Sequence, residues 1–452
     1  MSKRHQPIRR CTLAAIFAAT GIMGACVTVK EPRVQRGIPV RDNRTAAAKA
    51  DAQSRAVANA QRPTGPVAQP VTSGVSTAHV QISVAPLGLL RYNAQTLPLV
   101  SPDGHYLAVQ EGEAPTWDTL LATDRAEPAD QVRTLTYSLG ESALTRTDAG
   151  TNLPTGICLG RDAIAEGFLV ESVRPDGARW IGLCNWTTGQ VNWLVQGAAV
   201  SSHASLVGAG THPAIAYERR DRGTARASIV FRDAEGFEST LASADVSYAY
   251  PTASPDASTL FACAITFIAS GDASQPPSGS LDLVAVRIME DASRPGGRKL
   301  GSIIAQRPLG VFPDVMAAAH QVLASTQPSA WCSPHASMCQ SSLVLTHPSR
   351  GRAAVFNPAD AALTWLADKS VGAVAWAGAG AADQGYFCTA PRELVFQPFA
   401  SGDAQPSATR ILPSPYVARV IAAQPEPYLL CFGPSKQRPD ELEVLRVGIG
   451  SK

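Results

Sequence analysis

From Ala78 to Lys452 the chain repeats one pattern. Runs of five to eight residues rich in Val, Ile, Leu and aromatics are each closed by Gly, Pro, Asp or Ser. Short apolar runs between turn formers are the signature of a many-stranded β architecture. Helical periodicity is nearly absent. The one run that could be helical, Val311–Ala324, has Val and Phe content that suits strands equally. The 34 Pro and 36 Gly of the 452 residues favour many turns and work against long helices. Formal net charge is +2, which argues against a globally basic nucleic-acid binder.

The turns are the informative part. Val100-Ser101-Pro102-Asp103-Gly104-His105-Tyr106-Leu107-Ala108-Val109 reads as a turn feeding a strand. Pro102 presets φ at the first corner, Asp103 caps the turn through its carboxylate, and Gly104 accepts the positive φ that follows. Ser254-Pro255-Asp256-Ala257-Ser258-Thr259-Leu260-Phe261-Ala262 repeats the pattern, with Ala257 in the glycine position. A second element recurs at Cys184–Trp193, Val230–Phe237 and Val355–Leu363, each a strand, a polar tight turn and another strand. Repeats of this kind are sought before topology is argued.

The Ser-Pro-Asp-Gly-x-x-Leu-Ala pattern resembles the blades of TolB-like and WD40-like (PD40-type) β-propellers. In those families it joins the innermost strand of a blade to the second. The resemblance implies an all-β fold, a β-propeller; laying strand units along Ala78–Lys452 gives seven four-stranded blades at about 54 residues each. Six or eight blades would also accommodate the anchors. A β-sandwich or a pair of them is the rival fold, and the repeat anchors favour the propeller.

In most units three strands are legible. The first has Leu107–Gln110, Asp118–Ala122 and Arg133–Leu139, and the second Gly167–Val173, Trp180–Asn185 and Val191–Val195. The fifth has Val315–Leu323, Ser342–Thr346 and Ala353–Phe356. The seventh runs out of chain after Val417–Ala422, Tyr428–Phe432 and Glu441–Val447. His79–Val84, a lone strand before the first anchored turn, is expected to supply its fourth strand and close the ring.

Residues 1–26 read as a secretory signal. Lys3, Arg4, Arg9 and Arg10 form a positive region, and Cys11–Gly24 an apolar run too short to span as a mature helix. Met23-Gly24-Ala25-Cys26 resembles the lipobox of bacterial lipoproteins, which implies that Cys26 is lipidated. Met23 stands where that family usually has Leu, and an ordinary signal peptide cut after Ala25 is the alternative. Val27 is not the Asp that often marks inner-membrane retention, so the outer membrane is favoured. The expected location is the bacterial cell envelope, on the periplasmic face. Residues 27–77 form a basic Ala/Pro/Arg-rich tether without aromatics, unable to bury enough apolar surface to offset its ordering entropy.

Nine cysteines leave seven in the body once Cys11 and Cys26 are set aside. Cys263, Cys388 and Cys431 each sit in an apolar strand and read as small buried hydrophobes. Cys158 and Cys184 fall two strands apart in the same blade, too far for a disulfide. Cys332 and Cys339 flank a loop and are the expected disulfide in an oxidising compartment. With His335 they also supply three ligands of a zinc site, short of the four a closed site wants. No Gly-x-Ser-x-Gly elbow, phosphate loop or His-Glu-x-x-His occurs in the sequence. The histidines are expected in turns or at the surface, and the seven tryptophans between blades. No cofactor is expected. The expected function is a monomeric, non-enzymatic binding or scaffolding module for envelope proteins, as the TolB-like resemblance implies. A carbohydrate-binding or carbohydrate-active propeller is the alternative.

Overall fold

A computed structural model describes most of residues 75–451; the longest stretches of that range outside the description are 112–131, 325–341 and 399–408. The chain divides into two units, Met1–Pro66 and Val67–Lys452, and the described residues all fall in the second. Two strands come first, β1 (Val75–Ser76) and β2 (Val80–Arg91). Blade one is β3 (Leu99–Val100), β4 (Tyr106–Glu111), β5 (Arg133–Leu139) and β6 (Leu144–Arg146). Blade two is β7 (Ile157–Ile164), β8 (Gly167–Val173), β9 (Arg179–Asn185) and β10 (Val191–Val195). Blade three is β11 (Val200–Val207), β12 (Ala214–Arg220), β13 (Ser228–Arg232) and β14 (Glu238–Leu241). Blade four is β15 (Ser247–Ala253), β16 (Thr259–Phe267), β17 (Gly279–Glu290) and β18 (Arg298–Phe312).

Blade five departs from the pattern. Helix α1 (Val315–Ala319) and a π-helical turn (His320–Ala324) precede three strands, β19 (Leu343–His347), β20 (Arg352–Asn357) and β21 (Ala362–Trp365). The π-turn touches both β15 and β19, and so takes the place of an inner strand. The strand expected over Val315–Leu323 is therefore helical. Two local causes decide it. Asp314 caps the helix, its carboxylate accepting the Ala317 N–H at 2.9 Å. Val315, Ala318, Ala319, Val322 and Leu323 are all buried, and they fall on one helical face.

Blade six is β22 (Gly372–Trp376), β23 (Gly385–Ala390), β24 (Glu393–Pro398) and β25 (Thr409–Leu412). Blade seven is β26 (Val417–Ile421), β27 (Tyr428–Pro434) and β28 (Glu441–Ser451), and β2 completes it. β2 pairs antiparallel with β28 from Val80↔Ser451 to Arg91↔Glu441, so the expected closing strand is present and longer than His79–Val84. In blade one, β4 pairs directly with β5. The strand expected at Asp118–Ala122 lies outside the described residues.

Within blades one to six the strands pair antiparallel in chain order, and in blade seven the early strand β2 follows β28. First strands of successive blades touch, β3 to β7, β7 to β11, β11 to β15 and β22 to β26. They therefore line the axis of a seven-bladed β-propeller. Apolar layers join the blades around the ring. Leu99 and Ala108 of blade one meet Phe168, Cys184 and Trp186 of blade two. Further on, Leu394 and Phe396 of blade six meet Leu429 and Leu445 of blade seven. The ring shuts where Tyr428, Leu430 and Phe432 of blade seven pack on Val100, Leu107 and Val109 of blade one. Tyr428 also donates its hydroxyl to the Gly104 carbonyl at 2.5 Å.

Trp186 shows what such a layer asks of one residue. It is 1% exposed, lies 4.5 Å from the Phe168 ring and stacks on Tyr106 of blade one. Its indole N–H donates to the Ile164 carbonyl at 2.9 Å, so the one polar atom is satisfied.

Candidate functional site

The two Ser-Pro-Asp turns fold alike. Each links a blade's first strand to its second, as the sequence pattern implies. The Ser101 hydroxyl donates to Asp103 at 2.6 Å and accepts the Tyr106 N–H at 2.9 Å; Ser254 does the same with Asp256 at 2.6 Å and Thr259 at 3.0 Å. Gly104 takes φ +74° and Ala257, in the same place, φ +55°. Ser101, Pro102, Asp103, Gly104, Ser254 and Asp256 are thus turn builders; Pro255 lies outside the described residues. So do Cys26, Cys332, His335 and Cys339.

The polar centre of the ring lies on the inner strands of blades two to four. Each of these strands bulges in its pairing with the next: β7 between Leu159 and Ala163, β11 between Ser202 and Ser205, β15 between Ala249 and Thr252. Bulges re-aim side chains and are frequent beside functional sites. The bulged segments carry Arg161, His203 and Tyr250. His203 and Tyr250 sit at φ +53° and +54°, a backbone region L-residues occupy at a cost.

Arg161 is the hub. Its Nη1 donates to the carbonyls of His203 and Pro251, both at 3.2 Å. Its Nη2 donates to Thr252 Oγ1 at 3.1 Å and to the Leu323 carbonyl at 2.7 Å. One buried side chain of blade two therefore ties the inner segments of blades three, four and five. The Tyr250 ring lies 5.8 Å from the guanidinium carbon, 4.4 Å from the His203 ring and 5.9 Å from that of His320.

The carboxylates around this hub are buried and committed. Asp162 accepts the N–H groups of Ala163 at 3.0 Å and Leu206 at 2.9 Å. Glu171 accepts the His203 N–H at 2.8 Å and faces Arg179 at 3.8 Å. Burial pushes the Glu171 carboxyl up to about 7, against the pull of Arg179. The His203 ring is buried too, and that burial draws it down to about 4 despite its contact with Glu218. Glu218 Oε2, a carboxylate oxygen, accepts from the ring's Nδ1–H at 2.9 Å.

Sequence reasoning missed these residues. His203 and His347 were expected at the surface or in turns and are 6% and 8% exposed. The first strands of blades two, three and four were also missed, because their axis-facing bulges interrupt the apolar run with Arg161-Asp162, Ser201-Ser202-His203 and Pro251-Thr252. A polar break of two or three residues just ahead of each legible strand was the available signal.

Cys158, Cys184, Cys263 and Cys431 are free thiols. Cys158 on β7 and Cys184 on β9 are two strands apart, as expected. Burial raises Cys158 to about 11 and Cys184 to about 12, and raises Cys263 and Cys431 further, which makes them inert packing groups. The side chain of Cys388 lies outside the described residues. Among the described residues no group of three His, Cys, Asp or Glu is placed to hold a metal. A cleft of about 220 Å³ lies between blades two and three, lined by Leu183, Leu194, Ile215, Arg232 and Glu235, away from the hub.

No family model and no curated protein matches the chain. Solved structures resemble it at low identity. A Mycobacterium tuberculosis puromycin-hydrolyzing peptidase is 15% identical over 76% of this chain and 58% of its own, with a TM-score of 0.31. A Pyrococcus horikoshii acylaminoacyl peptidase is 9% identical over 77% of this chain and 50% of its own, with a TM-score of 0.39. A Xanthomonas campestris gluconolactonase is 13% identical over 86% of this chain and 99% of its own, with a TM-score of 0.31. The chain thus spans about half the length of the two peptidases. The strand pairing, and not these likenesses, defines the fold.

Proposed function

We propose that this propeller is a binding module of the bacterial cell envelope, a TolB-like lipoprotein anchored through Cys26 and docking a partner protein on its loops. Arg161 is the observation that carries the reading. Its guanidinium occupies the inner face of the ring and joins inner segments of four blades. The neighbouring carboxylates hold backbone N–H groups of adjacent inner strands. That centre works as a rigid frame, which leaves the loops at the ends of the blades as the docking surface. Fold alone does not fix a function. The argument rests on what these side chains are engaged in. The basic tether, with eight Lys or Arg against three Asp or Glu over residues 27–77, suits a spacer beside anionic headgroups.

The test is cross-linking in cells of the source organism, followed by isolation of the tagged protein and mass spectrometry. One dominant envelope protein, captured by the wild type and lost in Cys26→Ala, is the expected result. Recovery of the protein without a cross-linked protein partner would contradict it and turn attention to glycans.

A further inference from the structure

Where blades four and five meet, positive side chains gather around His347. Arg307 enters from β18, opposite Leu283 of the apolar layer between the two blades. Blade five contributes His347, the last residue of β19, and its cross-strand partner Arg352 at the start of β20. Arg350 lies in the turn between them. Trp365 pairs with Ala354, two residues beyond Arg352 and on the same face. The blades approach closely here: a Cβ placed on Gly310 of β18 would lie 3.5 Å from Ser349 Oγ.

Two guanidinium groups stand over one indole. The Arg350 Cζ is 4.8 Å from the Trp365 ring centroid and that of Arg352 5.7 Å. The His347 ring lies 5.5 Å from the same centroid. Stacking on an aromatic face fixes the plane of a guanidinium, which presets how the exposed Arg350 offers its N–H edges. Among the described residues no carboxylate pairs with Arg307 or Arg350. His347 is 8% exposed, and its Nδ1 is buried with no hydrogen-bond partner. Burial holds its pKa below the ordinary histidine value, and the charges of Arg350 and Arg307 press it lower.

A fold gains nothing from gathering like charges around a buried, unanswered imidazole nitrogen. Each feature becomes favourable when a multivalent oxyanion arrives. Guanidinium edges bind phosphate oxygens in pairs, with charge-assisted hydrogen bonds about twice as strong as neutral ones. The Nδ1 tautomer of His347 can supply a further donor. We propose that this corner between the blades is a phosphate-binding site, held by Arg307, Arg350 and His347 beside Trp365, for inorganic phosphate or a terminal phosphomonoester. The site is separate from the polar hub and independent of what the loops dock.

Isothermal titration of the full chain with inorganic phosphate, and separately with glycerol 3-phosphate, tests it at constant ionic strength set with sodium chloride. Saturable binding at one site is expected. The double variant Arg307→Gln, Arg350→Gln should weaken it at least tenfold. Both side chains are exposed, so the variant should keep the wild-type circular dichroism spectrum and melting temperature. Ester binding tenfold tighter than inorganic phosphate would mark the phosphomonoester as the ligand; equal binding would mark free phosphate. Absence of saturable heat with both compounds, or equal affinity in wild type and variant, would overturn the proposal.

Discussion

One hydroxyl holds each Ser-Pro-Asp turn together. Ser254 is 3% exposed, and its Oγ both donates to Asp256 and accepts the buried Thr259 N–H. Ser254→Ala leaves that N–H without a partner, at a cost of about 1–3 kcal/mol. Ser101→Ala should cost a similar amount, since the same bonds recur there. Denaturant midpoints of the two variants measure this, and unchanged midpoints would show the turns to be passive. These turns were legible because their chemistry is local: a hydroxyl, a carboxylate and a residue that takes positive φ lie within five positions. Even the Ala257 substitution did not hide the second copy. Arg161 and His203 are the opposite case. Their partners lie 42 to 162 and 15 to 42 residues away, so nothing beside them in sequence signals the contact.

The inner strands and the helix that replaces one of them show the same divide between elements. Strands away from the axis are apolar on faces that meet neighbouring blades, and their runs read plainly. Inner strands carry polar bulges, and their runs are broken. Helix α1 sits in a run, Val311–Ala324, whose Val and Phe content suits strands, and only the spacing of Val315, Ala318, Ala319, Val322 and Leu323 marks it as helical. The bulge of β11 has a measurable signature. His203 sits at about 4 in the fold against an ordinary 6.5, so between those values the folded chain binds fewer protons than the unfolded one. Stability is therefore lost as pH falls from 6.5 towards 4. Glu171, at about 7 against 4.5, acts in reverse, and stability is lost as pH rises through that window. The two slopes oppose one another in the overlap. Asn tolerates positive φ and can still donate to Glu218, so His203→Asn removes one slope and keeps the backbone. Relative to wild type, the variant should lose stability with rising pH between 4.5 and 6.5, by on the order of 1 kcal/mol per unit. Urea midpoints across that range decide it, and parallel curves would refute the assignment.

At the scale of the molecule, seven blades become one ring because β2 and β28 share a blade. The count and the closing strand followed from repeat spacing and from a last unit that lacked a fourth strand. Their register could not be read, since partners as far apart as Val80 and Ser451 have no local signal. β2 lays Leu87 and Leu90, 3% and 2% exposed, into the layer between blades seven and one. Burying each is worth about 1.5–3 kcal/mol. Its backbone also covers the edge of β28, which would otherwise stand open. Hydrogen exchange read by mass spectrometry, on the intact chain and on a variant lacking residues 75–91, tests the closed ring most directly. In the intact chain β2 and β28 should be protected together, to the level of β16 and β17. Deletion should strip protection from β26–β28 and from β3–β5 on the far side of the seam. Undiminished protection of β28 after the deletion would contradict a ring closed by its own first strand.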